Sequence, residues 1–181
     1  TSSVIGNTLV AVGGIDTSTN QIFDGALAAI SGGSVITPLT TVMAQLVGKE
    51  IASLNEQPTE TEYLNIVNQS KTKVQQAFNL GNVDISNYDP FEVLENVNAS
   101  PSEVAAALNV QKASATIANI IVKVSQTGTN STEHLSLTDA VTSNLATKIS
   151  ALNGSALNLT ETDTITEIAD ASGISRMTLH R

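Results

Sequence analysis

The stretch SGGSVITPLTTVMAQLVGKE, at positions 31–50, constrains the fold more than any other part of the chain. Before Pro38 the chain is rich in Gly and Ser, and its apolar residues alternate weakly. After Pro38 the apolar residues recur at the spacing of one helix face. Thr37 is a favourable N-cap, and Pro38 takes the first helical position, where its missing N–H costs nothing. An extended segment is therefore predicted to enter a buried helix at residue 38.

Comparable helix starts recur at Thr59–Glu62, Asp89–Pro90 and Ser100–Pro101. The apolar periodicity behind the caps predicts helices over residues 38–55, 59–79, 101–126 and 137–152, the last capped by Ser136 and Asp139, and a final helix from about Thr160 to Gly173. Two apolar stripes cover most of the 101–126 helix. We therefore expect it to be the central and most buried helix.

Residues 4–30 predict a β-hairpin. TLVAV alternates, GGIDTSTNQ supplies turn residues, and IFDGALAAI returns. The expected fold is mainly α, a five- to six-helix bundle with a small N-terminal β-hairpin. Residues 1–34 would form the hairpin and a Gly/Ser-rich link, and residues 35–181 the bundle, together as one compact unit.

The charge balance and the lack of cysteine exclude several classes of function. Eight Lys and Arg face seventeen Asp and Glu, for a net charge of −9, and cysteine is absent. An acidic surface repels phosphate backbones and anionic lipid, so no nucleic-acid partner is expected. No apolar run reaches the length of a membrane span. The chain does not begin with Met, and we expect Thr1 to open a processed chain or a fragment.

No motif predicts a catalytic site, and the chain is expected to be non-enzymatic. Its two histidines, His134 and His180, are far apart, and neither a nucleophile elbow nor a phosphate-binding loop is present. One weak metal pattern remains. It places Asp16, Ser18, Asn20 and Asp24 at the first, third, fifth and ninth positions of an EF-hand-like calcium loop. Gln21 and Leu27 break that pattern, so a polar hairpin turn is the alternative interpretation.

The C-terminal stretch TITEIADASGISRMTLHR resembles the helix-turn-helix of bacterial transcription regulators. In that alternative, the DNA-binding residues would be Ser175, Arg176, Thr178, His180 and Arg181. The acidic remainder of the chain argues against it, because a DNA reader needs a basic face. A generic helix stop at Gly173, followed by an apolar anchor, is the simpler interpretation.

Two stretches, residues 11–47 and 78–94, resemble a segment of very large secreted or surface bacterial proteins of the RTX or adhesin type, from cyanobacteria and proteobacteria. The first contributes Gly13, Gly14, Asp16, Phe23, Gly32, Gly33, Val35, Pro38, Leu39, Thr40 and Thr41, and the second Leu80, Gly81, Asp84, Ile85, Tyr88, Asp89 and Pro90. The resemblance implies an extracellular helical module between β-rich repeats, with no catalytic residues to carry over.

The expected function is therefore a structural or interaction module of such a protein. Its partners would be neighbouring domains of the parent chain, or a protein or surface. A second alternative is a helical binder of a small apolar ligand, a pigment or lipid, because a core rich in Ala and poor in aromatic residues can leave an apolar pocket.

Overall fold

The computed structural model describes residues 7–16, 21–23, 25–152, 154–159 and 161–172. These residues form four strands, β1 (Thr8–Val12), β2 (Ile15–Asp16), β3 (Gln21–Ile22) and β4 (Ala26–Ile30), and six helices, α1 (Pro38–Ala52), α2 (Glu60–Ala77), α3 (Pro90–Glu95), α4 (Pro101–Ser125), α5 (Ser131–Ala151) and α6 (Thr162–Ala171). The predicted fold class, a helical bundle with a small N-terminal β-hairpin, is confirmed.

The hairpin is a ribbon of two antiparallel ladders. In the first, β1 pairs with β4, from Thr8 opposite Ile30 to Val12 opposite Ala26. In the second, β2 pairs with β3, with Ile15 opposite Ile22. Gly13 joins the ladders with a φ of 70°, a conformation that glycine adopts without strain. The ribbon therefore runs continuously along its described strands.

The helix starts predicted at Thr37–Pro38, Thr59–Glu62, Asp89–Pro90 and Ser100–Pro101 are confirmed, because capping interactions are local and visible in the sequence. Thr37, Thr59 and Ser100 each complete a capping box at the start of their helices. Asp89 accepts a hydrogen bond from the Phe91 N–H at the start of α3. Such caps satisfy backbone N–H groups that the first helical turn leaves unpaired.

Helix α2 ends at Ala77, two residues earlier than predicted. Asn79 is in the left-handed conformation, with a φ of 53°. Its N–H donates to the Gln76 carbonyl, and the Leu80 N–H donates to the Gln75 carbonyl at 2.9 Å. This is a Schellman motif, and Asn79 is the left-handed residue that ends the helix.

The expectation that α4 is the most buried helix is wrong. Val110, Ile117, Ile120, Ile121 and Val124 lie in the core, while Leu108 is 50% exposed and Ala105 and Ala115 face solvent. Alanine is a strong helix former that tolerates water, so an alanine-rich stripe does not by itself indicate burial.

The central helix is α1. Its residues Leu39 to Met43 are all buried, as are Leu46 and Val47. It packs against β4, α2, α4 and α5. The short helix that begins at Pro38 is thus the element around which the rest of the bundle is arranged.

Helix α5 begins at Ser131, five residues before the predicted cap at Ser136. Its N-cap is Asn130, whose side chain accepts the Glu133 N–H at 3.1 Å. The Glu133 carboxylate in turn accepts the Thr129 N–H. Two cap-like sequences follow one another here, and the helix begins at the first because both Asn130 and Glu133 satisfy backbone groups there. Helix α6 begins at Thr162, and its predicted stop at Gly173 lies outside the described residues.

The two stretches that carry the family resemblance lie side by side. The backbone N–H groups of Ser34 and Val35 both donate to the Ser86 carbonyl, at 2.9 and 3.3 Å. The Ser34 N–H also lies within hydrogen-bonding distance of the Asn87 side chain. The Gly/Ser-rich link between the ribbon and α1 is thereby held against the loop before α3.

Candidate interaction surface

The N-terminal ribbon is fixed to the bundle through β4. Strand β4 packs against α1 and also contacts α5. Gly25 is buried there, and a Cβ at this position would lie 2.7 Å from the Thr138 hydroxyl and 2.8 Å from the Phe23 ring. The close approach requires glycine, and it places β4 on the bundle with β1 on its outer side.

One edge of the ribbon is closed by two hydroxyl groups of α1. The Ala28 N–H donates to the Thr41 hydroxyl at 2.8 Å. The Ala28 carbonyl accepts from the Thr40 hydroxyl, also at 2.8 Å. Both threonines are 3% exposed. The edge of β4 that faces away from β1 is therefore hydrogen-bonded and buried at its centre. No further strand can pair there.

The other edge of the ribbon, formed by β1, is left open by the residues that the structure describes. The Ser31 N–H donates to the Asn7 carbonyl and the Gly13 N–H to the Gly25 carbonyl, which shows that odd-numbered residues of β1 bond inward. In an antiparallel pair, the alternate residues direct their N–H and C=O groups away from the partner strand. Thr8, Val10 and Val12 therefore present three donors and three acceptors outward, and within the described residues these have no hydrogen-bond partner.

The open edge carries apolar side chains and no charge. All five residues of β1 are exposed. Leu9, Val10 and Val12 are 49%, 59% and 63% exposed, and Ile15 beyond them is 64% exposed. No charged residue lies between Asn7 and Ile15. Natural sheet edges are usually protected by Lys, Pro, a bulge or a covering loop, and β1 has no Lys or Pro along its length.

The carboxyl groups with perturbed pKa values are mostly at helix starts. Hydrogen bonds from Thr59 lower the pKa of Glu62, and those from Ser100 lower the pKa of Glu103. The backbone and side chain of Thr129 lower the pKa of Glu133. Each shift follows from a capping interaction that favours the charged carboxylate, so these groups stabilise helices and do not indicate acid–base chemistry.

The calcium site stays a prediction, because the structure describes only one of its four proposed ligand residues. The backbone of Asp16 pairs with that of Gln21 across the second ladder. Ser18, Asn20 and Asp24 lie outside the described residues. Elsewhere, among the residues that the structure describes, no three His, Asp or Glu side chains come together as a metal site would require.

The predicted DNA-contacting residues Ser175, Arg176, Thr178, His180 and Arg181 also lie outside the described part of the chain, so that alternative stays a prediction. Within the described ranges, no helix has both the length and the apolar character needed to cross a bilayer.

A cleft of about 260 Å³ lies between the end of α2, the middle of α4 and residues 157–159. Phe78 and Leu157 line it together with the polar side chains of Asn79, Asn109 and Lys112. These polar side chains are exposed. The cleft is thus polar at its rim, unlike the enclosed apolar pocket that a pigment or lipid binder would require.

Thr40 and Thr41 belong to the family resemblance, but no motif in the sequence predicted their contact with β4. A signal was present, because two adjacent hydroxyl residues in the first turn of a strongly apolar helix need polar partners once buried. The strand just before them along the chain is the nearest source of such partners.

Comparison with known proteins leaves the physical features of the chain as the basis for a functional proposal. No protein-family model matches the chain, and the searches of curated proteins and of solved structures return no significant match.

Proposed function

We propose that the chain is a non-enzymatic interaction module of a large secreted or surface bacterial protein, and that it associates by accepting a strand along β1. The observation that carries this proposal is the open, uncharged and apolar edge of β1, beside a β4 edge that is closed by Thr40 and Thr41. Along the described first ladder, β1 is therefore the edge at which a partner strand can pair.

Strand addition suits this surface better than docking of a helix or a folded domain. The outward N–H and C=O groups of Thr8, Val10 and Val12 require partners at the spacing of an extended chain. Leu9 and Ala11 lie on one face of the strand, and the three β-branched residues lie on the other. The preferred partner is an uncharged extended segment with small or β-branched residues.

The family resemblance supports the same proposal. Among the residues that carry it, Pro38 begins α1, and Thr40 and Thr41 hold β4 against that helix. Three of the residues that carry the resemblance to the RTX- or adhesin-type segment thus help to mount the ribbon on the bundle. In such a protein the module would be extracellular.

A short peptide of alternating Thr and Val, flanked by Lys, tests strand acceptance directly. At about 1 mM peptide, we expect slower hydrogen exchange at the backbone amides of Val10 and Val12, measured by NMR. A peptide with Pro at alternate positions is the control, because it cannot form the ladder.

The variant Val10→Pro is the matched control in the protein. It removes an outward N–H without removing a hydrogen bond of the ribbon, so the ribbon should remain folded and lose the peptide effect. Unchanged exchange at Val12 with the Thr/Val peptide, or equal protection of Val12 in the Val10→Pro variant, would contradict the proposed function.

A further inference from the structure

We infer that the strand accepted by β1 is β1 of a second copy of this chain, paired antiparallel about a two-fold axis at Val10. The two ribbons then form one four-stranded sheet. This inference rests on the proposed function, because it uses the same open edge, but it commits that edge to one partner.

The backbone of β1 is self-complementary about Val10. A two-fold axis there places Val10 opposite Val10 of the second copy and Thr8 opposite Val12. All three residues direct their N–H and C=O groups outward, so each opposed pair exchanges two hydrogen bonds. Three such pairs use every outward backbone group between Thr8 and Val12, and none is left unpaired in the new interface.

The side chains permit this pairing. Leu9 of one copy faces Ala11 of the other, a large residue against a small one, and β-branched residues face each other on the opposite side of the sheet. No like charges are brought together across the axis, because Asn7 to Ile15 carry none. The net charge of −9 acts only at longer range, where salt screens it, so pairing should strengthen as salt is raised.

The closed edge of β4 limits the assembly to two copies. On the side that faces away from β1, the backbone of Ala28 is already hydrogen-bonded to Thr40 and Thr41 of α1. Once two β1 strands pair, no open edge remains among the described strands of the first ladder. The symmetry is therefore closed, whereas a ribbon open on both edges would grow into a fibre.

The size of the edge sets the strength of the dimer. Leu9, Val10 and Val12 together expose on the order of 300 Å² of apolar surface. A stable interface buries about 800 Å² per partner. The free chain should therefore dimerise weakly, with a Kd on the order of 0.1–1 mM, and tethering of two copies would be needed for full occupancy.

Sedimentation measures the stoichiometry. From about 10 µM to about 1 mM chain, we expect a reversible shift from monomer to dimer that is larger at about 0.5 M than at about 0.05 M NaCl. The Val10→Pro variant should stay monomeric. Species larger than the dimer at the highest concentration would overturn the inference, because they require a second open edge.

Disulfide cross-linking tests the register, and the absence of native cysteine makes it specific. Opposed residues of a hydrogen-bonded pair have Cα atoms about 5.5 Å apart, within the range that a disulfide spans. Under a mild oxidant, Val10→Cys should form covalent dimers at least about tenfold faster than Leu64→Cys, a matched control that is 51% exposed on α2.

A mixture of Thr8→Cys and Val12→Cys chains should cross-link faster than either chain alone, because the antiparallel register opposes these two positions. Faster homodimerisation of Thr8→Cys would indicate parallel pairing and overturn the inference. A chain that stays monomeric at about 1 mM, with equal cross-linking of the Val10 and Leu64 variants, would also overturn it. If the Thr/Val peptide still protected Val10 in that case, the proposed function would stand and only the identity of the partner would fail.

Discussion

The hydroxyl of Thr41 offers the sharpest test of how the ribbon is held on the bundle. Val in place of Thr41 keeps the side-chain shape and replaces the hydroxyl by a methyl group. The Ala28 N–H, which donates to that hydroxyl at 2.8 Å, then loses its partner in a site where Thr41 is only 3% exposed. The change leaves the carbonyl of Thr37 bonded, because the Thr41 backbone N–H still donates to it at 3.0 Å.

The expected cost follows from these contacts. A buried donor left without a partner costs about 1–3 kcal/mol. The added methyl group recovers up to about 0.8 kcal/mol by burial. We therefore expect Thr41→Val to lower the free energy of unfolding by roughly 1–2 kcal/mol, and to increase hydrogen exchange at the Ala28 amide more than elsewhere in β4.

Urea unfolding and amide exchange measure the two effects. Thr72→Val is the matched control, because the exposed Thr72 hydroxyl also donates to a backbone carbonyl within its own helix. That variant should stay within about 0.5 kcal/mol of the parent chain. Equal stability of the two variants, or unchanged exchange at Ala28, would refute the claim that Thr41 closes the edge of β4.

Three further predictions concern the core, the helix caps and the ribbon turn. Leu46→Ala in α1 should cost about 2–5 kcal/mol and Leu108→Ala in α4 less than about 1 kcal/mol by urea unfolding; similar costs would contradict the central position of α1. The pKa of Glu103 is lowered on folding, so its stabilising contribution is present above the pKa of the unfolded chain and is lost as pH falls through the folded value; a carboxyl NMR titration should show the low pKa, and Ser100→Ala should raise it. For the parent chain and for Asp16→Ala alike, the thermal midpoint of each should not change between EDTA and millimolar calcium. A calcium-dependent rise in the midpoint of the parent chain that Asp16→Ala abolishes would establish a calcium site in the turn.

Local chemistry explains which parts of the fold could be predicted. The caps at Thr37, Thr59 and Ser100 satisfy backbone groups within four residues, so their signals are complete in sequence. The position of α1 at the centre depends on contacts with four other elements, which a stripe pattern does not contain. The stripe pattern of the alanine-rich α4 therefore predicted that α4 is the more buried helix, although Leu108 is 50% exposed.

Part of the candidate surface could likewise be predicted from the sequence, and part depends on contacts made only in the fold. Alternation in TLVAV predicted the hairpin, and the absence of charge along β1 was visible in the sequence. The two threonines signal in the sequence that polar partners are needed, but the sequence does not show that the partner is the backbone of Ala28, 12 and 13 residues away, which closes one edge. The open edge of β1 indicates a pairing site only once the edge of β4 is known to be closed.

The hydrogen bond between Asn7 and Ser31 determines how the ribbon responds to mechanical tension. The strand β1 begins beside the point where β4 leaves towards α1, since Asn7 and Ser31 form the first bonded pair of the ladder. A force that pulls Asn7 away from the bundle is therefore directed across the ladder, and the bonded pairs break one after another from that end. Peeling needs less force than shearing all pairs at once, while the hydroxyls of Thr40 and Thr41 keep β4 seated on α1. If load is applied at Asn7, we therefore expect β1 to extend before the helices of the bundle unfold.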